Sequence, residues 1–352
     1  MLYHFLAPPH TRERSIPMKK LIKALLVAGS IGLAAACANS PPPAELISER
    51  PYKTVQLLTV YSPAISENLN GEKSERLLTV YLPPDYHESD RSYPVVYFLH
   101  GYAMSVFEIV NYAPEMLNTY FRKHPAEAFI VVGIDGHNKY DGSFWTNSPL
   151  AGNWADHAVR EVPSLINTLY RTKTGPENTG ISGFSMGGFA AINLGMRHPD
   201  IFGHIHTIAP ALHMEPIEPE DGMWMKAMIC AFAPEKILNE IGRDADQLKI
   251  AHYVDRFVPD ESFCSVLDQN FGVSYLTDLV AHYSSLSDAY QRICIEYGKY
   301  DRNRYIQIGS ERFSDLLTKN GIPHRLTIFD GGHGASVRIE PSFLPFFVEG
   351  FR

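Results

Sequence analysis

Cysteine is scarce in this chain: four among 352 residues, at positions 37, 230, 264 and 294. That count excludes a disulfide framework, and no Cys/His cluster has zinc-site spacing. The body has no Lys/Arg-rich stretch and the formal net charge is −8, which argues against a nucleic-acid partner. Acidity of this size mostly reports solubility. No internal repeat is visible, so repeat architectures drop out. The apolar run from Ala24 to Ala36 is too short to span a bilayer. What is present is ordinary globular composition, 45% hydrophobic and 20% charged. With the ends trimmed, about 300 residues remain, enough for one large α/β domain.

The N-terminus reads as an export signal. Met18-Lys19-Lys20-Leu21-Ile22-Lys23 is a basic n-region, and Ala24 to Ala36 is an h-region. Residues 1–17 lack this logic, which places the expected natural start at Met18. Leu33-Ala34-Ala35-Ala36-Cys37 resembles a bacterial lipobox, with alanine where leucine is usual three places before the cysteine. The expectation is a signal region over 1–36, a lipidated Cys37, and a Pro-rich tether over 37–52 containing Pro41-Pro42-Pro43. This implies the bacterial cell envelope, on an outer-membrane anchor, with a soluble periplasmic or secreted form as the alternative. Lipidation leaves three cysteines and room for one disulfide. Cys230 and Cys264, in one insert, are the candidate pair, and Cys294 reads as a small buried hydrophobe.

The body carries Gly183-Phe184-Ser185-Met186-Gly187-Gly188 between a strand ending in Ile181-Ser182 and a small-residue helix, Phe189 to Arg197. Strand, sharp turn and helix are what a Gly-x-Ser-x-Gly nucleophile elbow requires. Glycines flank the serine because the turn leaves no room for side chains. The motif alone arises by chance in roughly one chain in ten of this length, so its partners decide the matter. Downstream, the apolar run Ile293–Gly298 ends in Lys299-Tyr300-Asp301, and the strand Arg325–Phe329 ends in Asp330-Gly331-Gly332-His333. The order Ser, Asp, His is that of the α/β-hydrolases. Ser185, His333 and Asp301 are thus the candidate nucleophile, base and orienting acid. Glu296 is the weaker rival acid, and Asp330 lies too close to His333 in sequence. The apolar strand Val95–Leu99 runs into His100-Gly101-Tyr102, whose loop would supply one oxyanion N–H, from Tyr102 or its neighbour Ala103. Met186 would supply the other. No cofactor or metal is called for.

At these motifs the chain resembles the putative-esterase family of α/β-hydrolases, with its esterase D, S-formylglutathione hydrolase, antigen 85, feruloyl esterase and siderophore esterase branches. Leu99-His100-Gly101, Asp135-Gly136, Ser143 to Ser148, Arg197 to Gly203 and the Gly-Gly-His loop carry the resemblance, over about residues 55 to 350. It implies an α/β-hydrolase fold: a mostly parallel central sheet, helices on both faces and a cap-like insert.

Strands are expected over Thr54–Tyr61, Leu77–Leu82, Val95–Leu99, Phe129–Ile134, Thr179–Gly183 and Ile205–Ile208. Helices are expected near Pro114–Phe121, Asp156–Tyr170, Gly187–Met196 and Glu311–Lys319. The domain would run over 53–352. Its regular pattern breaks from about 210 to 288, the cap, where Met214, Met223, Trp224, Met225, Met228, Phe232 and Tyr253 accumulate. These either line an acyl pocket or form the cap's own core. The remaining histidines, His213 among them, have no motif context. The reading is a secreted serine ester hydrolase acting on a small-molecule or glycan-linked ester, touching membrane only through its lipid. The alternatives are an acyltransferase of the antigen 85 type and a non-catalytic surface binding module.

Overall fold

Long apolar strands that alternate with amphipathic helices can bury both sheet faces only by forming a parallel sheet with crossover helices. The computed structural model describes residues 44–52, 55–218, 224–286 and 291–352. The signal region, Cys37 and Met223 lie outside the described residues.

The strands are β1 (Glu45–Tyr52), β2 (Val55–Tyr61), β3 (Glu75–Tyr81), β4 (Val95–Leu99) and β5 (Ile130–Ile134). After the short hairpin β6 (Asn147–Ser148) and β7 (Gly152–Asn153) come β8 (Thr179–Phe184), β9 (His204–Ile208), β10 (Arg292–Gly298) and β11 (Arg325–Phe329). Among the described residues they form a nine-stranded sheet in the order β1-β2-β3-β5-β4-β8-β9-β10-β11. From β5 to β11 every neighbour is parallel, and β1, β2 and β3 add an antiparallel edge. Every residue of β4, β5 and β9 is buried, so both faces of the sheet are covered.

The helices are α1 (Phe107–Phe121), α2 (Val162–Leu169), α3 (Met186–Arg197), α4 (Met225–Phe232), α5 (Pro234–Ile241), α6 (Gln247–Arg256), α7 (Glu261–Asn270), α8 (Val273–Ser284), α9 (Arg304–Lys319) and α10 (Leu344–Gly350). The α3 helix is buried from Met186 to Met196 and lies on β8 and β9, its small residues allowing close approach. The insert is helical, with α4 to α8 between β9 and β10.

Several boundaries differ from the expectation for identifiable reasons. The segment expected as tether contains β1, which pairs with β2 from Glu45↔Tyr61 to Tyr52↔Val55. Its residues are exposed almost throughout, so no buried face left an apolar pattern to read. The α1 helix begins at Phe107, seven residues before Pro114, and carries that proline inside it. The α9 helix begins at Arg304, because its first turn packs Tyr305 and Ile306 inward. Cys230 and Cys264 are not a pair: both are free buried thiols, as is Cys294. Burial pushes the Cys230 thiol up to about 12.

One buried ionic knot fastens the antiparallel edge to the rest. The Glu161 carboxylate accepts from the Ser62 hydroxyl at 2.5 Å, the Ala64 N–H at 2.7 Å and His157 Nδ1 at 2.8 Å. Each acceptor lone pair used there reduces the cost of burying the charge.

Candidate active site

The elbow is built by backbone crowding. A Cβ on Gly183 would stand 2.0 Å from the Gly187 carbonyl oxygen, and one on Gly187 2.0 Å from that of Leu99. Only bare backbone lets β8 turn into α3 beneath the end of β4. Ser185, between them, holds φ 54° and ψ −114°. The surroundings over-determine this strained conformation: the Ser185 N–H donates to the Ile208 carbonyl at 3.0 Å. Its own carbonyl accepts from Phe189 at 3.0 Å and Ala211 at 2.9 Å.

Two loops at the same sheet edge join Asp301 to His333. The His333 Nδ1–H donates to Asp301 Oδ2 at 2.6 Å, and Asp301 Oδ1 accepts from the Asn303 N–H at 2.9 Å. The loops are also tied through backbone, Tyr300 N–H to the Gly331 carbonyl at 2.9 Å. Asp301's side chain is fully enclosed and that of His333 is 25% exposed. Because a carboxylate only accepts, Nδ1 carries the hydrogen and Nε2 is the basic nitrogen. The imidazole lies against the ring of Phe184, 4.7 Å between centroids, one residue before Ser185.

Glu296 belongs to a different contact. Its Oε2 accepts from Arg338 Nε at 3.0 Å and Nη2 at 2.7 Å, and Oε1 lies 3.3 Å from His206 Nε2. Burial opposes its charge, but His206 and Arg338 outweigh that and hold its carboxyl below the ordinary range. Arg338 stands five residues after His333, so this pair pins the far end of the histidine loop. Ser182 likewise bonds inward, 3.1 Å from His206 Nδ1.

The loop after β4 is held from three sides. His100 Nδ1–H donates to the Gly101 carbonyl at 2.8 Å, and Nε2 accepts from the Gly136 N–H at 2.8 Å. That fixes a neutral tautomer and a structural role. The Gly101 N–H donates to Glu108 Oε2 at 3.2 Å, and the Ala103 N–H to the Asp141 carbonyl at 2.9 Å. The Ala103 N–H is therefore engaged by the loop after β5. Tyr102, Ser185 and Met186 line one cavity of about 290 Å³. Donors at the Met186 end of α3 also carry the positive pole of that helix.

The rest of that cavity wall comes from Phe144, Ala211, His213, the segment Glu215 to Glu218, Trp224, Met225, Phe271 and Tyr305. Of the insert side chains singled out in the sequence, Trp224 and Met225 face it. Met228 and Phe232 are buried in the core, and Tyr253 bonds Glu240 on the insert's surface. Behind the cavity the rings of Phe144, Phe189, Phe232 and Phe271 pack at 4.7–6.1 Å. Burial, with Asp301's charge, pushes the Tyr305 hydroxyl up to about 12, so it stays protonated. Sequence reasoning missed Tyr305, Phe271, His213 and Glu108. Nothing local marked them, because each reaches the site only through the tertiary fold.

Residues 70–256 match the family described as "Putative esterase", more than half of the chain. The chain belongs to this esterase family. It is 24% identical over 176 residues to the uncharacterized protein YbbA of Bacillus subtilis, covering 44% of this chain and 67% of YbbA. It is 27% identical over 133 residues to Esterase Rv1288 of Mycobacterium tuberculosis, covering 36% of this chain but 26% of that longer protein. Among solved structures it is similar to an S-formylglutathione hydrolase from Agrobacterium tumefaciens, with TM-score 0.57, 18% identity and coverage of 88% of this chain and 100% of the other. A ferulic acid esterase matches with TM-score 0.56, 19% identity, and 88% and 99% coverage. At such identities the structural likeness is one of fold, and it establishes the α/β-hydrolase architecture.

The described non-glycine residues with positive φ gather at this edge: Ala103 after β4, Asp141, Phe144 and Trp145 after β5, Ser185 after β8 and Ala209 after β9. Among the described non-glycine residues, strain concentrated there marks the edge as the candidate working face. Glycine at 185 relieves that strain, whereas alanine keeps it. Ser185→Gly is therefore expected to be more stable than Ser185→Ala by about 1 kcal/mol in urea unfolding. Equal stabilities would show that the elbow is unstrained.

Proposed function

We propose that this protein is a serine carboxylic-ester hydrolase working through Ser185, His333 and Asp301. The observation that carries this reading is the 2.6 Å His333–Asp301 contact at the sheet edge where the elbow presents Ser185. His333 Nε2 removes the Ser185 proton as the oxygen attacks the ester carbonyl, and Asp301 holds the tautomer and balances the imidazolium. The N–H groups of Tyr102 and Met186 receive the oxyanion. His333 returns the proton to the departing alcohol, then activates water to cleave the acyl-enzyme. An acyltransferase would need this cavity to exclude water in favour of an acceptor alcohol, and no described feature favours that over hydrolysis.

The cavity also speaks to substrate charge. Its described lining holds Glu215 and Glu218 but neither lysine nor arginine, and the nearby Arg312 is engaged by Glu215 at 3.4 Å. The aromatic and acidic wall suits a neutral or cationic ester and disfavours an anionic one. That argues against a glutathione thioester, which carries two carboxylates.

We place the mature protein in the bacterial cell envelope, anchored by a lipid on Cys37, on the strength of the lipobox-like Leu33–Cys37.

Three experiments test these readings. Ser185→Ala is expected to lower kcat on p-nitrophenyl esters by about 10⁴- to 10⁶-fold with the fold retained. In a matched ester series a distal carboxylate should reduce kcat/KM about tenfold against the neutral analogue, an effect that salt and Glu218→Gln both shrink. Undiminished turnover in Ser185→Ala would refute the mechanism, and a preference for the anionic ester would refute the charge argument. For location, Cys37→Ser should move the protein from the detergent phase to the aqueous phase. A wild-type protein already in the aqueous phase would remove the anchor.

A further inference from the structure

The mechanism above makes no use of the loop after β5, residues 135–146, although that loop reaches the site at three points. The Asp141 carbonyl accepts the Ala103 N–H at 2.9 Å, one residue past Tyr102. Phe144 lines the cavity. Between them lies Gly142, buried, where a Cβ would stand 2.6 Å from Met186 Sδ and 2.8 Å from Tyr102 Cδ2. Gly142 is off the cavity wall, whereas Tyr102 and Met186 are on it, so the glycine backs the two side chains that face the space beside Ser185.

We propose that Gly142 is a specificity-determining position: without a side chain it lets Tyr102 and Met186 sit back from Ser185, and so it sets how wide an acyl group the cavity admits. The acyl half of the ester is the relevant one. The departing alcohol takes its proton from His333 and so leaves on the histidine side. The described lining of the cavity includes Ser185 but neither His333 nor Asp301, which puts the cavity on the other side of the nucleophile, with the acyl group. That assignment rests on the serine-hydrolase reading, but the crowding at Gly142 does not.

A position sets a width only if its own backbone cannot give way. Asn138, 5% exposed, holds this loop from within: its Oδ1 accepts from the Tyr140 N–H at 2.9 Å and the Gly142 N–H at 3.0 Å. The Asn138 carbonyl accepts from the Asp141 N–H at 3.0 Å, and the Ser143 N–H donates to the Gly136 carbonyl at 3.1 Å. At the base of the loop a Cβ on Gly136 would stand 2.4 Å from the fully buried Trp145 ring. A methyl at 142 therefore displaces what it meets rather than the loop that carries it. Gly142 is not among the glycines with positive φ, so alanine brings no backbone strain. The nearest atoms belong to the side chains of Met186 and Tyr102. Each must retreat by roughly 1 Å to regain an ordinary separation of about 3.5–4.0 Å. The N–H groups of the same residues belong to the backbone of the β4 loop and α3, so the change falls on cavity width rather than on oxyanion donors.

The test is a p-nitrophenyl ester series of rising acyl length. In Gly142→Ala, kcat/KM for the longest ester that wild type turns over should fall about tenfold relative to acetate, with acetate within about threefold of wild type. Asn138→Ala loosens the same loop but adds nothing behind Tyr102 and Met186, so its chain-length profile should keep the wild-type shape. Crystals of Gly142→Ala read the geometry without any substrate: the Tyr102 ring and Met186 side chain should stand about 1 Å further into the cavity. A uniform loss across the series in Gly142→Ala overturns the inference, as does the same change of profile in Asn138→Ala. Unmoved side chains in the crystals overturn it as well. So does a Gly142→Ala chain that fails to fold, since its methyl would then meet more than two yielding side chains. Wild-type protein that hydrolyses no ester would sink the function reading, while the crystals still decide whether Gly142 sets the width of the cavity.

Discussion

Everything at this site depends on the passage of the β8–α3 turn beneath the end of β4. The backbones meet so closely that neither Gly183 nor Gly187 could carry a Cβ, each of which would stand 2.0 Å from a carbonyl oxygen. That contact fixes Ser185 in a conformation an L-residue otherwise avoids. The same contact presses α3 against the sheet and brings its N-terminal amides beside the β4 loop. Positioning thus comes from the packed sheet rather than from flexible side chains, and such precision is what transition-state stabilisation needs.

Around the turn, two sets of interactions divide the labour. Asp301 and the Tyr300–Gly331 bond join the β10 and β11 loops and orient His333. Below them Glu296 grips Arg338 and His206, so a second acid serves the loop's anchorage and leaves the imidazole alone. On the other side His100, with Gly136, and Glu108, with Gly101, hold the loop after β4. Asp301 and Glu296 each accept from donors, which offsets part of the cost of burying their charge.

Much of this was legible in the sequence because it is local. The strands β4 and β11 match the sequence reading to the residue, and the order Ser185, Asp301, His333 follows from strand ends and glycine-flanked loops. What escaped was non-local or featureless. The edge strand β1 buries no face, so it has no pattern. The start of α1 was masked by Pro114, which a helix usually carries in its first turn and here carries in its middle. Cys230 and Cys264 share an insert, but each is a free buried thiol. The insert's methionines and aromatics split between cavity wall and core. Glu108 lacks any motif: it enters the site only because α1 packs beside the β4 loop.

The central claim is that Ser185 is the nucleophile, and covalent capture tests it most directly. The wild-type protein treated with a fluorophosphonate should gain one adduct by intact mass, mapped by peptide fragmentation to Ser185, and Ser185→Ala should gain none. An adduct on another residue, or ester turnover in a protein whose Ser185 stays unmodified by the probe, would contradict the account.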